Sequence, residues 1–357
     1  MTDYKFEGWQ GHDVASAEGK LVWAEFEPKA WEEDNIDIRI THCGVCASDL
    51  ATLRSGWVPA NYPCVVGHEI VGVAVRVGSA VTNGIQVGDL VGVGAQADAC
   101  LGRDGPCKAC ASNHEPYCRI SNVNTYDSKH RNGDKAYGGY ATYHRAVSHF
   151  VMKVPAGLKP EYAAPLLCGG ATVYSPLKAW GCGPGKKVGI VGVGGLGHFA
   201  VLFAKAMGAD QVVGISRREA KRDEAISLGC DDYIATADDE NWVSKNVDRF
   251  DIIISTISSS DPKFNNYLRA LAFDGTLIQV GAPETPIPLA PFALILGRRR
   301  VAGSALASPK EIAEMMQFCV DKDIRPWVET RPMSDTNAAL LDLAAGKPRF
   351  RYVLTNE

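Results

Sequence analysis

No stretch of this sequence is apolar for long enough to span a bilayer. The longest uncharged segment, Val188–Ala204, has 17 residues and five of them are glycine, against the roughly 20 apolar residues a spanning helix needs. An excess of one charge is also missing: 37 Lys and Arg stand against 41 Asp and Glu. With no long basic run either, the electrostatic footprint of a nucleic-acid-binding protein is excluded. Internal repeats and low-complexity tracts are absent. Asp3, Lys5 and Glu7 interrupt the start of the chain, so a secretory apolar region is not expected. The ending Leu354-Thr355-Asn356-Glu357 matches no lipidation or peroxisomal signal. The expectation is a soluble, cytoplasmic protein without membrane or nucleic-acid partners.

With 46% hydrophobic and 22% charged residues, the chain can bury sizeable cores, which excludes disorder as its main state. Its 357 residues suggest two domains, at about 150 residues each. Eleven cysteines, an odd number in a chain without a secretion signal, point to metal binding or thiol chemistry rather than a disulfide framework.

The first third reads as β-rich. Ile36-Asp37-Ile38-Arg39-Ile40 alternates as a half-buried strand does, and Ile70–Val77 and Asp89–Val93 are Val-rich runs bounded by glycine. From Pro155–Pro165 onward strands alternate with helices. Strands are expected at Lys187–Val191, Gln211–Ile215, Phe250–Thr256 and Thr276–Gly281, and helices at Leu196–Met207, Glu219–Leu228 and Lys263–Phe273. Such βα units build a parallel sheet covered by helices. After Pro283–Pro291 the pattern is mixed, with helices at Pro309–Asp321 and Asp335–Ala345 and a last strand at Phe350–Leu354. The fold class is therefore α/β: a doubly wound domain over 156–297 and a discontinuous β-rich domain over 1–155 and 298–357.

Gly192-Val193-Gly194-Gly195-Leu196-Gly197 fits G-x-G-x-x-G between a strand and a helix. Gly192 permits the tight turn, Gly194 lets backbone approach a pyrophosphate, and Gly197 lets helix pack on strand. The helix start then offers free N–H groups and partial positive charge to the phosphates. Where an NAD-selective site places an acid after the second strand, this chain reads Ser216-Arg217-Arg218-Glu219-Ala220-Lys221. A hydroxyl and several cations suit a 2′-phosphate, which argues for NADP(H), although Glu219 is close by.

Cys100, Cys107, Cys110 and Cys118 fall within 19 residues. Four thiolates make a closed tetrahedral zinc site, although a 4Fe–4S cluster uses the same number. Cys46, His68 and Cys168 are far apart in sequence, yet two thiolates and an imidazole are the donor set of a catalytic zinc that keeps one position open.

These residues resemble the zinc-dependent medium-chain alcohol dehydrogenases, in particular the cinnamyl alcohol dehydrogenase branch with its fungal NADPH-dependent members. The resemblance covers essentially the whole chain. It rests on GVCASDL at 44–50, GHE at 67–69, the cysteine loop at 100–118, LLCGGATVYSPL at 166–177, GVGGLGH at 192–198 and LGRRRVAGS at 296–304. It implies a GroES-like catalytic domain and a Rossmann domain with the active site in the cleft between them, two zinc ions per chain and NADP(H). It implies that Cys46, His68 and Cys168 ligate the catalytic zinc, that Glu69 replaces water as a ligand in some states, and that Cys100, Cys107, Cys110 and Cys118 hold the structural zinc. It further implies that Asp49 orients a ligand histidine and that Ser48 is the proton donor. Thr172 is implied near the nicotinamide, Ser216, Arg217 and Lys221 at the 2′-phosphate, and Thr256, Gly281 and Leu306 along the cofactor. Trp57 is implied as a wall of the substrate pocket, and Arg298–Ser304 as the edge of a homodimer.

Two departures stand out. The family spaces its cysteine loop C-x2-C-x2-C-x7-C; here it reads C-x6-C-x2-C-x7-C, with four extra residues around Gly102–Pro106, so the loop must bulge. Ala51 replaces the family's usual proton-relaying histidine three residues after Ser48. The resemblance implies reversible NADPH-linked reduction of aromatic or medium-chain aldehydes to primary alcohols, with slower or more pH-dependent proton delivery. Ala51 keeps open the reduction of a conjugated C=C or C=N bond. A reading of another class is a non-catalytic NADPH-binding structural or regulatory protein.

Overall fold

The computed structural model describes residues 4–258 and 264–356. The chain divides into two compact units, Met1–Ala171 with Leu306–Glu357, and Thr172–Ala305. Both divisions come later than the changes of texture at 155 and 297. On the first side the reason is packing: the helix Pro160–Pro165 lies on the strands Asn35–Gly44, Ile70–Val77 and Arg351–Thr355 of the first unit.

The first unit is built on a seven-stranded sheet. In its main path Val151–Lys153, Leu90–Val93, Ile70–Val77, Asn35–Gly44, Arg351–Thr355 and Val328–Pro332 lie side by side, and Tyr143–Val147 also pairs with Asn35–Gly44. The C-terminal strand thus lies next to the strand that leads into the first cysteine ligand, with Val353 opposite Gly44. Ile36, Ile38 and Ile40 pack with Ile70, Val91 and Leu354 in its core. The other face of Asn35–Gly44 is only partly solvated: Arg39 is exposed, but Asp37 is not. Asp37 is fully buried, because Arg145 on the paired strand reaches its carboxylate at 2.7 Å and the Tyr4 hydroxyl donates to it at 2.7 Å. A buried carboxylate with an arginine partner and a second donor keeps its charge matched.

The second unit is a six-stranded parallel sheet in the order Asp232–Ala235, Gln211–Ser216, Lys187–Val191, Phe250–Ser255, Leu271–Gln279, Arg300–Gly303. Reading from Lys187–Val191 as the first strand, this is the doubly wound order, and the strand order reverses beside that strand. Its C-terminal end, at Val191, pairs with Ile215 on one side and Ser255 on the other. Phe199, Ala200 and Phe203 bury one side of the helix Gly197–Ala206.

Two expected helices are shorter in the fold. Glu219–Leu228 becomes a 3-10 turn, Glu219–Lys221, followed by the helix Arg222–Ser227. Lys263 lies outside the described residues, and the helix Phe264–Ala270 gives way to strand at Leu271, which pairs with Phe250. Asp274 takes a left-handed φ of 62° inside that strand. Asp274 and Gly275 therefore form an irregularity within that strand rather than a turn before Thr276. Among the described residues no helix is long and apolar enough to cross a membrane.

Candidate active site

Cys46, His68, Glu69 and Cys168 come together: one ligand atom from each lies within 4.8 Å of all the others, and all four residues are buried. Each arrives on a different local device. Cys46 precedes the helix Ala47–Leu53 in extended conformation, which turns its side chain out of the helix. Asp49, three residues on, accepts from the Cys46 amide at 2.9 Å and from the Gly67 amide at 3.1 Å, so one carboxylate fixes the backbone of two ligand segments. The Tyr140 hydroxyl holds that carboxylate at 2.7 Å. Asp49 thus holds the backbone next to His68 through the Gly67 amide. The His68 ring stacks on Tyr126, with centroids 5.2 Å apart and planes 8° off parallel. Cys168 sits in a π-helical segment, Leu166–Gly170, between the helices Pro160–Pro165 and Ala171–Ala179. Such a segment rotates a side chain off the regular helical face, and these segments concentrate at functional sites.

Glu69 completes the set. Gly44 leaves the room for it, since a Cβ at that position would lie 1.8 Å from Glu69 Oε2. Arg351 Nη2 donates to Glu69 Oε1 across 282 residues of chain, both partners being buried. Glu69 Oε2 and His68 Nε2 are buried and have no hydrogen-bond partner among the described residues. Two sulfurs, an unpartnered imidazole nitrogen and an unpartnered carboxylate oxygen in one buried cluster are the donor chemistry of zinc.

The electrostatics agree. A hydrogen bond from Cys168 draws the Cys46 thiol well below the usual range against the effect of burial. Burial pushes Glu69 up to about 7 despite Arg351. Burial opposes a charge on His68, yet the neighbouring anionic groups, Cys46 first, draw it up to about 9. Cys46 is thus drawn to its thiolate while Glu69 and His68 are drawn towards their protonated forms, and a divalent cation held here would favour all of them as deprotonated ligands.

Arg351, Tyr140 and Tyr126 escape the sequence reading. Arg351→Met is expected to destabilise the protein by about 3–5 kcal/mol, because it strands a buried carboxylate. Adding Glu69→Gln should recover most of that loss. Urea denaturation of the single and double variants measures it, and a single variant as stable as the wild type contradicts it.

A second cluster forms at Cys100, Cys107, Cys110 and Cys118, again within 4.8 Å. Cys100 and Cys110 sulfurs are 3.6 Å apart, and Cys107 and Cys118 sulfurs 3.8 Å. A zinc–thiolate tetrahedron with arms of about 2.3 Å has edges of about 3.8 Å, so one ion fits and a four-iron cubane does not. The extra residues bulge outward, with Leu101, Gly102 and Gly105 at positive φ. They are tied down by Arg103, which donates to Asp98 and the Ala99 and Cys100 carbonyls, and by Asp104, which accepts from Arg131.

In the second unit, Gly192 has φ 90°, and a Cβ there would lie 2.6 Å from Thr256 Oγ1. A Cβ at Gly197 would lie 2.0 Å from the Gly192 carbonyl. Gly194 has open space where its Cβ would be, and no side chain caps the helix start at Leu196. This leaves a cradle with free N–H groups for a phosphate. Thr256 Oγ1 donates to the Val191 and Gly192 carbonyls at 3.0 and 2.8 Å, and Gly281 lies tight against Ile257. Ser216 ends its strand, and the Arg217 and Lys221 side chains are exposed with no ion pair among the described residues. The Glu219 carboxylate is taken by Arg222, and Arg218 pairs with Asp238. Thr172 is buried, Leu306 is half-buried beside Leu167 and Ile312, and Trp57 is 46% exposed in the segment after Leu53. Ser48 Oγ lies 3.5 Å from the Cys46 sulfur, and Ala51 is buried.

Comparison with known proteins agrees with this geometry. The alcohol dehydrogenase GroES-like domain family matches residues 32–156, and the zinc-binding dehydrogenase family matches residues 195–321. An NADP-dependent alcohol dehydrogenase of Saccharomyces cerevisiae is 41% identical over 98% of this chain and 96% of its own. A cinnamyl alcohol dehydrogenase structure from Sorghum bicolor superposes with a TM-score of 0.92 at 36% identity, covering 99% of this chain and 98% of that one. A cinnamyl alcohol dehydrogenase from Helicobacter pylori, solved with NADP(H), does so at 0.89 and 33% identity, covering 98% of each chain. The chain therefore belongs to the zinc-binding alcohol dehydrogenases, in their cinnamyl alcohol dehydrogenase branch.

Proposed function

We propose that this protein reduces aromatic or medium-chain aldehydes to primary alcohols with NADPH. The observation that carries the reading is the buried cluster of Cys46, His68, Glu69 and Cys168, with two of its donor atoms unpartnered. Bound at this cluster, zinc supplies a Lewis acid for a carbonyl oxygen, while NADPH is the hydride donor. Cys46, His68 and Cys168 would hold the ion, with Glu69, shared with Arg351, as a further donor beside them. Asp49 and Tyr140 fix the ligand segments, so the donor geometry is set before substrate arrives. Ser48 Oγ, beside Cys46, gives its proton to the substrate oxygen as the alcohol forms. Ala51 has no proton to pass on, so Ser48 is resupplied from water or a ribose hydroxyl. Thr172, Thr256, Gly281 and Leu306 line the cofactor, and Trp57 borders the substrate.

The cysteine loop holds a structural zinc. We propose that the unit Met1–Ala171 with Leu306–Glu357 is the catalytic domain and that Thr172–Ala305 is the cofactor domain. Arg300–Gly303 is an edge strand with Val301 40% exposed, and Phe292 and Leu296 nearby are 71% and 81% exposed. An open apolar edge of this kind suits pairing with the same edge of a second copy, hence a homodimer. All eleven cysteines are unpaired, which suits the reducing cytoplasm.

NADPH oxidation with cinnamaldehyde, with the product identified, tests the reaction. Cinnamyl alcohol is expected. A saturated aldehyde would move the assignment to conjugate reduction, with Ala51 as the residue behind it. Arg217→Asp is expected to raise the Michaelis constant for NADPH by about 10–100-fold relative to that for NADH, since a charge-assisted hydrogen bond is worth about 1.5–3 kcal/mol. Unchanged relative constants would remove Arg217 from the cofactor site.

A further inference from the structure

A dinucleotide crosses a doubly wound sheet where the strand order reverses, with one mononucleotide on each half. In this chain the order reverses beside Lys187–Val191. On one side of that strand, Gln211–Ser216 ends at Ser216, next to Arg217. On the other side, Phe250–Ser255 leads into Thr256 and Ile257, and Leu271–Gln279 leads into Val280 and Gly281. With the 2′-phosphate at Ser216, the nicotinamide half falls to this second side.

Gln279 is the last residue of its strand and stands in register with Ser255. Its side-chain nitrogen donates to the Ile257 carbonyl at 3.0 Å and to the Gly281 carbonyl at 2.8 Å. Two carbonyl acceptors fix the orientation of the amide, since only its nitrogen end can donate. One side chain therefore ties the segment after Phe250–Ser255 to the segment after its own strand. The two segments meet at backbone distance: a Cβ on Gly281 would lie 2.1 Å from the Ile257 carbonyl oxygen. Thr256 ties the first segment to the glycine turn, through the Val191 and Gly192 carbonyls. Gly192, Thr256, Ile257 and Gly281 are thus linked by two side chains. The strand ends need neither, because the Val280 and Gly281 amides reach the Ser255 carbonyl at 2.9 and 3.1 Å.

We propose that Gln279 is a positioning residue for the nicotinamide half of the coenzyme, acting by holding the Ile257 and Gly281 carbonyls at a fixed spacing. The inference rests on the NADP(H) reading of the glycine turn and of Ser216. Backbone that is ordered before the coenzyme arrives need not be ordered by it, and the affinity saved is the benefit of preorganisation. Without the amide donors, both carbonyls turn to water, and the coenzyme must order the backbone around Ile257 itself. The adenosine half lies beyond Lys187–Val191 and keeps its own contacts.

Calorimetric titration of the zinc-loaded enzyme tests this, with NADP⁺ and with 2′-phospho-ADP-ribose, the coenzyme stripped of its nicotinamide. Gln279→Met keeps the length of the side chain and removes both donors. It is expected to weaken NADP⁺ by about tenfold, the worth of one to two hydrogen bonds, and to leave 2′-phospho-ADP-ribose within about twofold of wild type. The ratio of NADP⁺ to NAD⁺ affinity should also stay within about twofold, because the 2′-phosphate site is distant and independent. Arg217→Asp changes that ratio and Gln279→Met does not. Gln279→Glu, of the same size and without a donor when ionised, should follow the same pattern. Unchanged NADP⁺ binding in both variants overturns the proposal. So does an equal loss of both ligands, or loss of the folded state in both variants, because Gln279 would then support the domain as a whole. A wild-type enzyme that binds neither ligand would remove the NADP(H) reading on which the proposal stands.

Discussion

Cys46→Ala is expected to lower kcat/KM for aldehyde reduction by at least about 10⁴-fold. A polarising metal contributes several kcal/mol to such a reaction, and each 1.36 kcal/mol is worth about a factor of ten. Without the Cys46 sulfur, the cluster keeps one thiolate, one imidazole and a carboxylate already engaged by Arg351. The fold should persist. The substitution deletes a single sulfur, and Asp49 binds the amides of residues 46 and 67, which alanine leaves in place. Metal content should fall from two zinc ions per chain to one, with the melting temperature nearly unchanged. A fully active variant would remove Cys46 from the metal set. An unfolded variant would show that the cluster is needed for structure as well, and Cys46→Ser then serves as the milder version.

Local signals in the sequence carry much of this site. The glycine turn needs only the strand before it and the helix after it, and a side chain has no room at Gly192 or Gly197. The four loop cysteines announce themselves by proximity. Arg222, three residues after Glu219, was readable as the partner that neutralises that acid. The parts that escape are those with no local period. Arg351 meets Glu69 across 282 residues, and Tyr140 meets Asp49 across 91. No spacing rule reaches that far; only the sheet order, which sets the last strand beside Asn35–Gly44, brings Arg351 to the cluster. Asp37 escapes for the same reason. Its alternation signals solvent, but Arg145 and Tyr4 arrive from distant segments to cover it. Extra residues in the cysteine loop are visible by counting, while their anchoring to Arg131 is not, because Arg131 lies 27 residues from Asp104.

Cys118→Ala is expected to cost at least about 4 kcal/mol of stability, a fall of roughly 10 °C in melting temperature, while sparing the chemistry of the other cluster. The cysteine lobe has little else to hold it. Its strands Gln96–Ala99 and Asn122–Asn124 form a two-stranded sheet, a unit marginal in water by itself. Its helices Lys108–Ala111 and Glu115–Tyr117 are single turns. Its small core consists of Ala99, Val147, Phe150 and Leu101 packed around the four cysteines themselves. Apolar burial on that scale cannot offset the ordering of such a loop, so metal binding supplies the difference. Cys118 is the sharpest choice: against burial, backbone amides led by that of Ser121 bring its thiol down to about 6, so it offers a thiolate near neutral pH. Metal analysis should again find one zinc per chain, retained this time by Cys46, His68 and Cys168. Limited proteolysis should cut between 101 and 121 in the variant and spare the wild type. Activity per folded molecule should stay within a few-fold, which separates this variant from Cys46→Ala. Two zinc ions and an unchanged melting temperature in Cys118→Ala would show that the lobe stands without its metal.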